Sequence, residues 1–526
     1  VIKGGDPLFC FRRWSRKPWG AFASLRRLKI SVLSLTMGMI ALGTKSASAQ
    51  SDTLRHAREI EIEVMSVTAE KMNPTRGVLT PVAVFDRDTI GSRPSQTIEQ
   101  TLRLNPAIDL RERGGKGIQA DISLRGGTAD QTMVMLNGIN FTDARTGHQS
   151  HSLPIDLEAV SSIDLIGGLS GIGAYSGALN FRTTPLRPRY LKAEIAGGQH
   201  GYMYGNISGA TTGKGLSVQA AGSFRQSDGY ITNTDFSSIN LFTRVNYYFR
   251  KTGLFDIQAG YQNREWGANG FYSLAFPNQY EHTRTTLGSV RWSKDAGRLT
   301  FNSHVSYRKN WDRFDLYRNG VGAPNTNWRP NYHVTDNAGA EMSADYNWLK
   351  AGKSSLGVDY TFNHIYSTLL GEQMDDPIAI PGTDVYYTKE KNRHIVNAWL
   401  RHSANIIDGY TSVSGSVNVA HSSYGVFPSW GLAVIRRFRG GFMLDLNTSR
   451  SMRLPTFTDL YYTTSETHTA DPNLKPEHAY NYQLGASYAP DRFMVKAIGY
   501  YRQGRQVIDW IKESNVRRRS LCFLPN

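Results

Sequence analysis

From about Tyr190 onward, apolar and polar residues take turns along the chain. In Phe255-Asp256-Ile257-Gln258-Ala259-Gly260-Tyr261-Gln262 every odd position is apolar and every even one is polar or glycine. The same alternation governs Leu356-Gly357-Val358-Asp359-Tyr360-Thr361-Phe362 and Tyr480-Asn481-Tyr482-Gln483-Leu484-Gly485-Ala486-Ser487-Tyr488. A period of two gives an extended strand one apolar and one wet face. Such segments recur about fifteen times over some 310 residues. A water-soluble sandwich has the same local rhythm with its apolar face turned inward. The aromatics separate the two: Tyr247, Tyr248, Phe249, Trp292, Trp348 and Trp399 gather near segment ends, as an interfacial girdle requires. Only a closed wall satisfies strand backbone in lipid, so the pattern predicts an antiparallel transmembrane β-barrel over residues 186–515.

Residues 75–185 are written differently, as a small α/β domain. Val82-Ala83-Val84-Phe85, Asp121-Ile122-Ser123-Leu124, Met133-Val134-Met135-Leu136 and Ser162-Ile163-Asp164-Leu165 read as strands separated by glycine-rich turns. Ser95 is placed to cap a short helix from Thr97 to Leu104, stopped by Asn105-Pro106, and Pro154 to open a second helical turn ending near Val160. Residues 50–74 read as a polar arm carrying one β-prone patch, Glu63-Val64-Met65-Ser66-Val67-Thr68-Ala69.

Residues 1–49 carry an export signal. Arg26, Arg27 and Lys29 precede an apolar run from Ile30 to Leu42, and Ala47-Ser48-Ala49 forms an A-x-A cleavage site. The run is too short to span a bilayer as a helix. Residues 1–25 read as a spurious extension ahead of the signal.

Composition narrows the class. Across 526 residues there are 27 Tyr, 22 Phe, 10 Trp and 50 Gly, which suits twisted strands and many turns. The formal charge of +16 raises nucleic-acid binding, but the basic residues form no compact cluster within a recognisable module, and lumen-facing or loop cations are the better reading. Cys10 and Cys522 build neither a disulfide framework nor a thiolate site.

Several short blocks, in order, resemble the TonB-dependent receptors. Val64–Ala69 looks like a TonB box. Gly115 to Arg125, followed by Gly126-Gly127 and then Met133-Val134-Met135-Leu136-Asn137-Gly138, resembles the plug core, with Arg125-Gly126 and Asn137-Gly138 as its signatures. Ser161–Ile166 and Ala178–Thr183 resemble the plug's closing strands. Arg453-Leu454-Pro455 through Tyr461, and Asn473-Leu474-Lys475-Pro476-Glu477, resemble late-barrel signatures. The resemblance implies an N-terminal α/β plug inside the barrel lumen, a bacterial outer-membrane location, and active import of a scarce nutrient. Its implied partners are TonB with its inner-membrane motor complex, outer-membrane lipid, the small-molecule ligand, and a periplasmic or surface binding protein; no nucleic acid, cofactor or metal is expected. Glu63 to Ala69 would offer free backbone groups for a strand of TonB.

The order of the plug blocks is most similar to the cobalamin-receptor branch, with a ferric siderophore or haem receptor as the alternative and a passive porin-type channel as the alternative from another class. Ligand contact is expected from two plug loops, at Arg113, Gly114, Gly115 and Lys116 and at Asp143, Arg145, His148 and His151. The spacing of His148 and His151 suits a metal pair, but third and fourth ligands are not evident. Gly114, Gly115 and Gly117 lack the Lys-Ser/Thr of a phosphate loop. No catalytic set stands out, so no enzyme is expected.

After Gln506-Val507-Ile508-Asp509-Trp510-Ile511 the alternation stops, and residues 516–526 read as an aberrant tail. The expectation is a C-terminally incomplete barrel with an open sheet edge, which inserts poorly and transports nothing as it stands.

Overall fold

The computed structural model describes residues 81–91, 95–116, 118–150, 152–167, 170–173, 175–183, 189–325, 328–406, 410–464, 468–490, 493–512 and 521–523. The signal, the arm with Glu63–Ala69, and His151 lie outside these residues.

The N-terminal module holds β1 (Pro81–Phe85), α1 (Arg87–Gly91), α2 (Ile98–Leu102), β2 (Ile108–Arg113), β3 (Gln119–Leu124), β4 (Thr132–Leu136), β5 (Ile139–Asn140), β6 (Ser162–Ile166), β7 (Gly171–Ile172) and β8 (Gly177–Arg182). Its five-stranded sheet runs β1-β6-β8-β4-β5, with β4 parallel to β8, and β2 and β3 form a separate hairpin. Strands β3 and β4 are buried on both faces. Burial on both faces suits the apolar run Met133–Leu136 of β4, whereas β3 still alternates and buries Gln119, Asp121 and Ser123 as polar residues. The cap of α2 is Thr97, whose Oγ1 accepts from the Gln100 amide at 3.2 Å, and not Ser95. The turn after Pro154 is a single 3-10 turn, Leu157–Ala159, capped by Asp156.

The wall consists of β9 (Arg189–Gly197), β10 (Met203–Gly213), β11 (Leu216–Ser227), β12 (Phe236–Phe249), β13 (Gly253–Gly267), β14 (Tyr280–Ala296), β15 (Leu299–Asp315), β16 (Asn331–Asn347), β17 (Lys353–Ser367), β18 (Glu372–Ala379), β19 (Tyr386–Ile406), β20 (Thr411–Ser422), β21 (Gly425–Arg437), β22 (Phe442–Arg453), β23 (His468–Thr469), β24 (Glu477–Tyr488) and β25 (Val495–Arg505). Short β18 and β23 belong to the rim loops. The others form one antiparallel ladder, strand to next strand.

Exposure decides which way this sheet faces. Ile257, Val358 and Leu484 are 45%, 49% and 61% exposed on the outside, whereas Asp256, Gln258 and Gln483 are 3%, 2% and 8% exposed on the inside. The alternation is inverted relative to a water-soluble sandwich: apolar side chains point out and polar ones point in. Among the described residues no helix is long and apolar enough to cross a membrane, so strands do the spanning.

One rim is made of tight turns and carries an aromatic girdle. Tyr247 packs on Phe249 at 4.2 Å between ring centroids, Tyr346 on Trp348 at 4.4 Å and Phe438 on Phe442 at 5.4 Å. The indole of Trp292 donates to the Thr252 carbonyl at 2.6 Å, so its polar end is satisfied at the boundary. Trp399 is a correction. It points into the lumen, under the guanidinium of Arg401 at 4.0 Å, with its ring over Gly357 where a Cβ would come within 2.3 Å. The opposite rim carries the long connections, including 268–279, 316–330 and 454–476.

The neighbour order of the strands closes through β7. The registered pairing of β7, however, is parallel, to Ser451 and Met452 of β22, and no residue-by-residue register joins β25 to β9 among the described residues. Both faces of β9 and β25 are largely exposed, unlike the strands between them. The seam is thus the least satisfied line of the wall. Beyond it, β26 (Trp510–Lys512) and β27 (Leu521–Phe523) pair with each other, and β27 also pairs with β23.

The direction of the faces predicts an asymmetric response to charge. Val358→Arg, near the middle of the outward band, should cost about 2–4 kcal/mol of stability in lipid, while Thr361→Lys on the inward face should stay within about 0.5 kcal/mol. Denaturant titration of liposome-inserted protein reads both values.

Candidate functional site

The lumen is filled by the N-terminal module, and the contact is built largely from arginines. Loops buried inside a cylinder expose carbonyls that no strand partner can reach, and buried carbonyls need donors. The wall supplies them. Arg225 donates to the Gln96 carbonyl at 3.1 Å, Arg264 to Ile118 at 2.5 Å, Arg291 to Asn137 at 3.1 Å, Arg308 to Phe141 at 3.1 Å and to Gln149 at 2.7 Å, and Arg502 to Arg125 at 2.5 Å. Gln219 and Gln262 serve Ala159 and Leu153 likewise. A planar five-donor guanidinium suits this work better than an ammonium. Part of the positive charge noted in the sequence is therefore spent inside the barrel.

The two plug signatures are turns. Asn137 and Gly138 have φ of 53° and 80°, the left-handed pair required by the two-residue connection of β4 to β5. The Asn137 side chain then joins plug to wall: its Nδ2 donates to Thr183 at 2.9 Å and Gln258 at 2.7 Å, and its Oδ1 accepts from the Thr183 amide at 3.0 Å and Arg244 at 2.9 Å. Arg125 and Gly126 repeat the turn, with φ of 50° and 71°, and the Arg125 guanidinium reaches Gln483 of β24 at 2.5 Å.

The late-barrel signatures meet at one buried cluster. Arg453 donates to Glu477 at 2.5 Å and to Asp459 at 2.8 Å, and Glu477 also accepts from plug Gln131 at 3.2 Å and from the Ile508 amide at 2.7 Å. Thr456 and Asp459 cap each other at the start of α3 (Phe457–Tyr461), whose first amides donate to the plug carbonyls of Ala144 and Arg145. The Pro455 carbonyl accepts from Arg393 at 2.8 Å. Pro476 is buried ahead of Glu477, while Asn473 is exposed in the preceding turn.

The expected ligand loops divide. Arg113, Gly114, Gly115 and Lys116 form the tip of the β2–β3 hairpin beneath the long loop 268–279 and β12; a Cβ on Gly115 would meet Phe236 at 2.2 Å. Arg113 donates to Asp121 at 3.1 Å and stacks on Tyr272 at 5.4 Å, Lys116 lies over Tyr202 at 4.9 Å, and His148 Nδ1 is 2.5 Å from Asp121. This group is partly exposed. Asp143 and Arg145 are not: Asp143 faces Arg308 at 3.1 Å and Thr335 at 3.3 Å, and Arg145 pairs with Asp312, all buried. They pin the plug instead of presenting to its surface. Among the described residues no cluster of three metal-ligating side chains forms. A cavity of about 40 Å³ lies between Thr97–Glu99 of the plug and Arg264 of the wall, beside the ion pair of Arg225 with Asp156 at 3.5 Å.

Sequence reasoning passed over the wall's contribution, namely Arg244, Arg264, Arg291, Arg308, Gln258 and Asp312, along with Asp121 and Tyr272. Its available signal was arginine on the polar face of alternating strands.

A plug bound inside a barrel is matched by two family descriptions. The one described as TonB dependent receptor-like, beta-barrel, matches residues 217–518, and the TonB-dependent Receptor Plug Domain matches residues 74–180. The chain belongs to the TonB-dependent receptors. This family comprises outer-membrane transporters of Gram-negative bacteria, served by TonB, and not enzymes. The chain is 24% identical over 474 residues to a protein named vitamin B12 transporter BtuB from Photobacterium profundum, covering 86% of this chain and 72% of that protein. Among solved structures, it is similar to a mutant of the ferric enterobactin receptor PfeA from Pseudomonas aeruginosa, with a TM-score of 0.66 at 14% identity over 87% of this chain and 76% of that one. It is likewise similar to a double mutant of the Serratia marcescens hemophore receptor HasR in complex with its hemophore and heme, with a TM-score of 0.67 at 14% identity over 86% and 76%. At these identities the structures speak for the fold.

Two outcomes test this TonB-dependent receptor's plug contacts. Arg308→Met leaves Asp143 buried without its cation and should cost about 3–5 kcal/mol of plug stability, most of it recovered in Arg308→Met/Asp143→Asn; urea titration of plug protease resistance measures it. His148 gives a pH signature. Burial and Arg113 oppose its positive charge, but the Asp121 hydrogen bond and the charges of Asp121 and Asp130 outweigh them, so its pKa is raised above the ordinary 6.5. Its stabilisation is full below about pH 6.5 and is lost as pH rises through the raised value. His148→Gln should flatten that slope in a pH series of plug unfolding.

Proposed function

We propose that the protein imports cobalamin or a related corrinoid across the outer membrane. The observation that carries this reading is the match over 86% of the chain to a protein named as a vitamin B12 transporter, joined to the order of plug blocks around Arg125, Asn137 and His148. The siderophore and haem reading draws only on fold neighbours. A passive channel sits poorly with a lumen filled by a hydrogen-bonded plug.

In this reading the ligand meets Arg113, Gly114, Gly115, Lys116 and His148, at the plug apex below the long rim loops, with His151 as a further contact. Asp143 and Arg145 act behind them, setting the loop's position through Arg308 and Asp312. The outer membrane holds no nucleotide supply, so work enters through the arm. Glu63 to Ala69 add a strand to TonB, a grip made of main-chain hydrogen bonds that transmits a pull along the chain. The pull opposes wall arginines that each hold a plug carbonyl, so the plug is released stepwise. A periplasmic or surface binding protein would receive or deliver the ligand.

The test uses labelled cobalamin and ferric chelates with cells lacking their own corrinoid receptor. Cobalamin should bind and enter and the chelates should not; the reverse preference sinks the substrate assignment. Val67→Pro removes a backbone donor from the arm. It should abolish uptake while leaving binding intact, and undiminished uptake would contradict the TonB-pairing role.

A further inference from the structure

The outward face of the wall changes character near the long-loop rim. Arg450 lies eight residues above Phe442 on β22, or about 20 Å up at the usual rise and tilt of barrel strands. That is near the top of an apolar band about 25 Å tall. Below it, Leu444, Leu446, Leu484 and Ala486 face out; at its level the register aligns Trp430, Arg450 and Tyr480, and one step higher His478 pairs with Arg505.

Both guanidiniums flank one ring, Arg450 at 5.8 Å and Arg505 at 5.7 Å from the centre of Tyr480. They line an outward recess of about 600 Å³ with His478, Gln506 and Val507. Outward cations elsewhere in the upper wall are satisfied by the protein: Arg284 donates to Asn263 at 3.2 Å, and Lys309 meets Asp336 at 3.2 Å. Arg450 and Arg505 have no ion pair among the described residues, and Arg450 Nε is buried without a hydrogen-bond partner. Two like charges held beside one ring, at the depth of lipid headgroups, call for an anion from the membrane side.

We propose that this recess binds the phosphate of an outer-leaflet lipid. Arg450 and Arg505 supply charge-assisted hydrogen bonds to the phosphate oxygens, His478 and Gln506 border the headgroup, and the acyl chains run down over Tyr482 and Leu484. The site is separate from the ligand path, which lies inside the barrel.

The test measures retention of dioleoyl phosphatidic acid by the full chain in neutral detergent, using native mass spectrometry. The lipid should remain bound, with retention falling about tenfold in Arg450→Gln/Arg505→Gln and to a smaller degree in Arg505→Gln alone, which alters only the exposed last strand. Arg284→Gln should retain it fully. Dioleoylglycerol should not bind, and inorganic phosphate at equal concentration should not displace the lipid. Equal retention by the double variant or of dioleoylglycerol, or displacement by inorganic phosphate, would overturn the proposal.

Discussion

In hydrocarbon a peptide group has no hydrogen-bond partner other than another peptide group, and that constraint organises the whole molecule. Between β9 and β25 each wall strand is registered to the next, so backbone polarity is consumed laterally everywhere but at the β25–β9 seam. Side chains then divide by parity alone: odd positions of β13 meet lipid and even ones meet the lumen. A one-residue slip would place Asp256 and Gln258 in the bilayer and Ile257 against the plug. The polar interior that results is the condition for everything inside it.

A polar bore creates the opposite problem, since a loop-rich domain packed within it must find partners for its own carbonyls. The arginines solve both sides together. Arg225, Arg264, Arg291, Arg308 and Arg502 project from different strands and end on plug backbone, while Asp143, Asp312 and Glu477 balance selected charges. These contacts are directional and individually modest, so the plug is held firmly yet is divisible into steps. Apolar contacts join plug and wall as well, with Ala221, Phe242 and Leu287 of the wall in one buried cluster with the plug core.

Much of this was legible in the sequence. The alternation in Phe255–Gln262 gave strand positions and facing, whereas Asn137-Gly138 was legible only as a family signature, and its role as a turn with two successive positive φ values came from the structure. The failures have physical causes. Trp399 looked like a girdle residue because it is aromatic, but its parity matches Asn397 and Arg401, which face inward. The burial of Asp143 and Arg145 was hidden as well, because their partners Arg308 and Asp312 are some 165 residues distant and invisible to local reading. Ser95 lost the cap of α2 to Thr97 because the helix begins three residues after it.

The central claim is the outward turn of the apolar face. It is tested most directly by single cysteines at successive positions from Lys353 to Ser367 of β17, in protein whose two native cysteines are replaced, probed with quenchers dissolved in lipid and in water. The account predicts lipid quenching at Leu356, Val358, Tyr360 and Phe362 and none at Gly357, Asp359 and Thr361. Quenching without a two-residue period, or with the two sets exchanged, would contradict it.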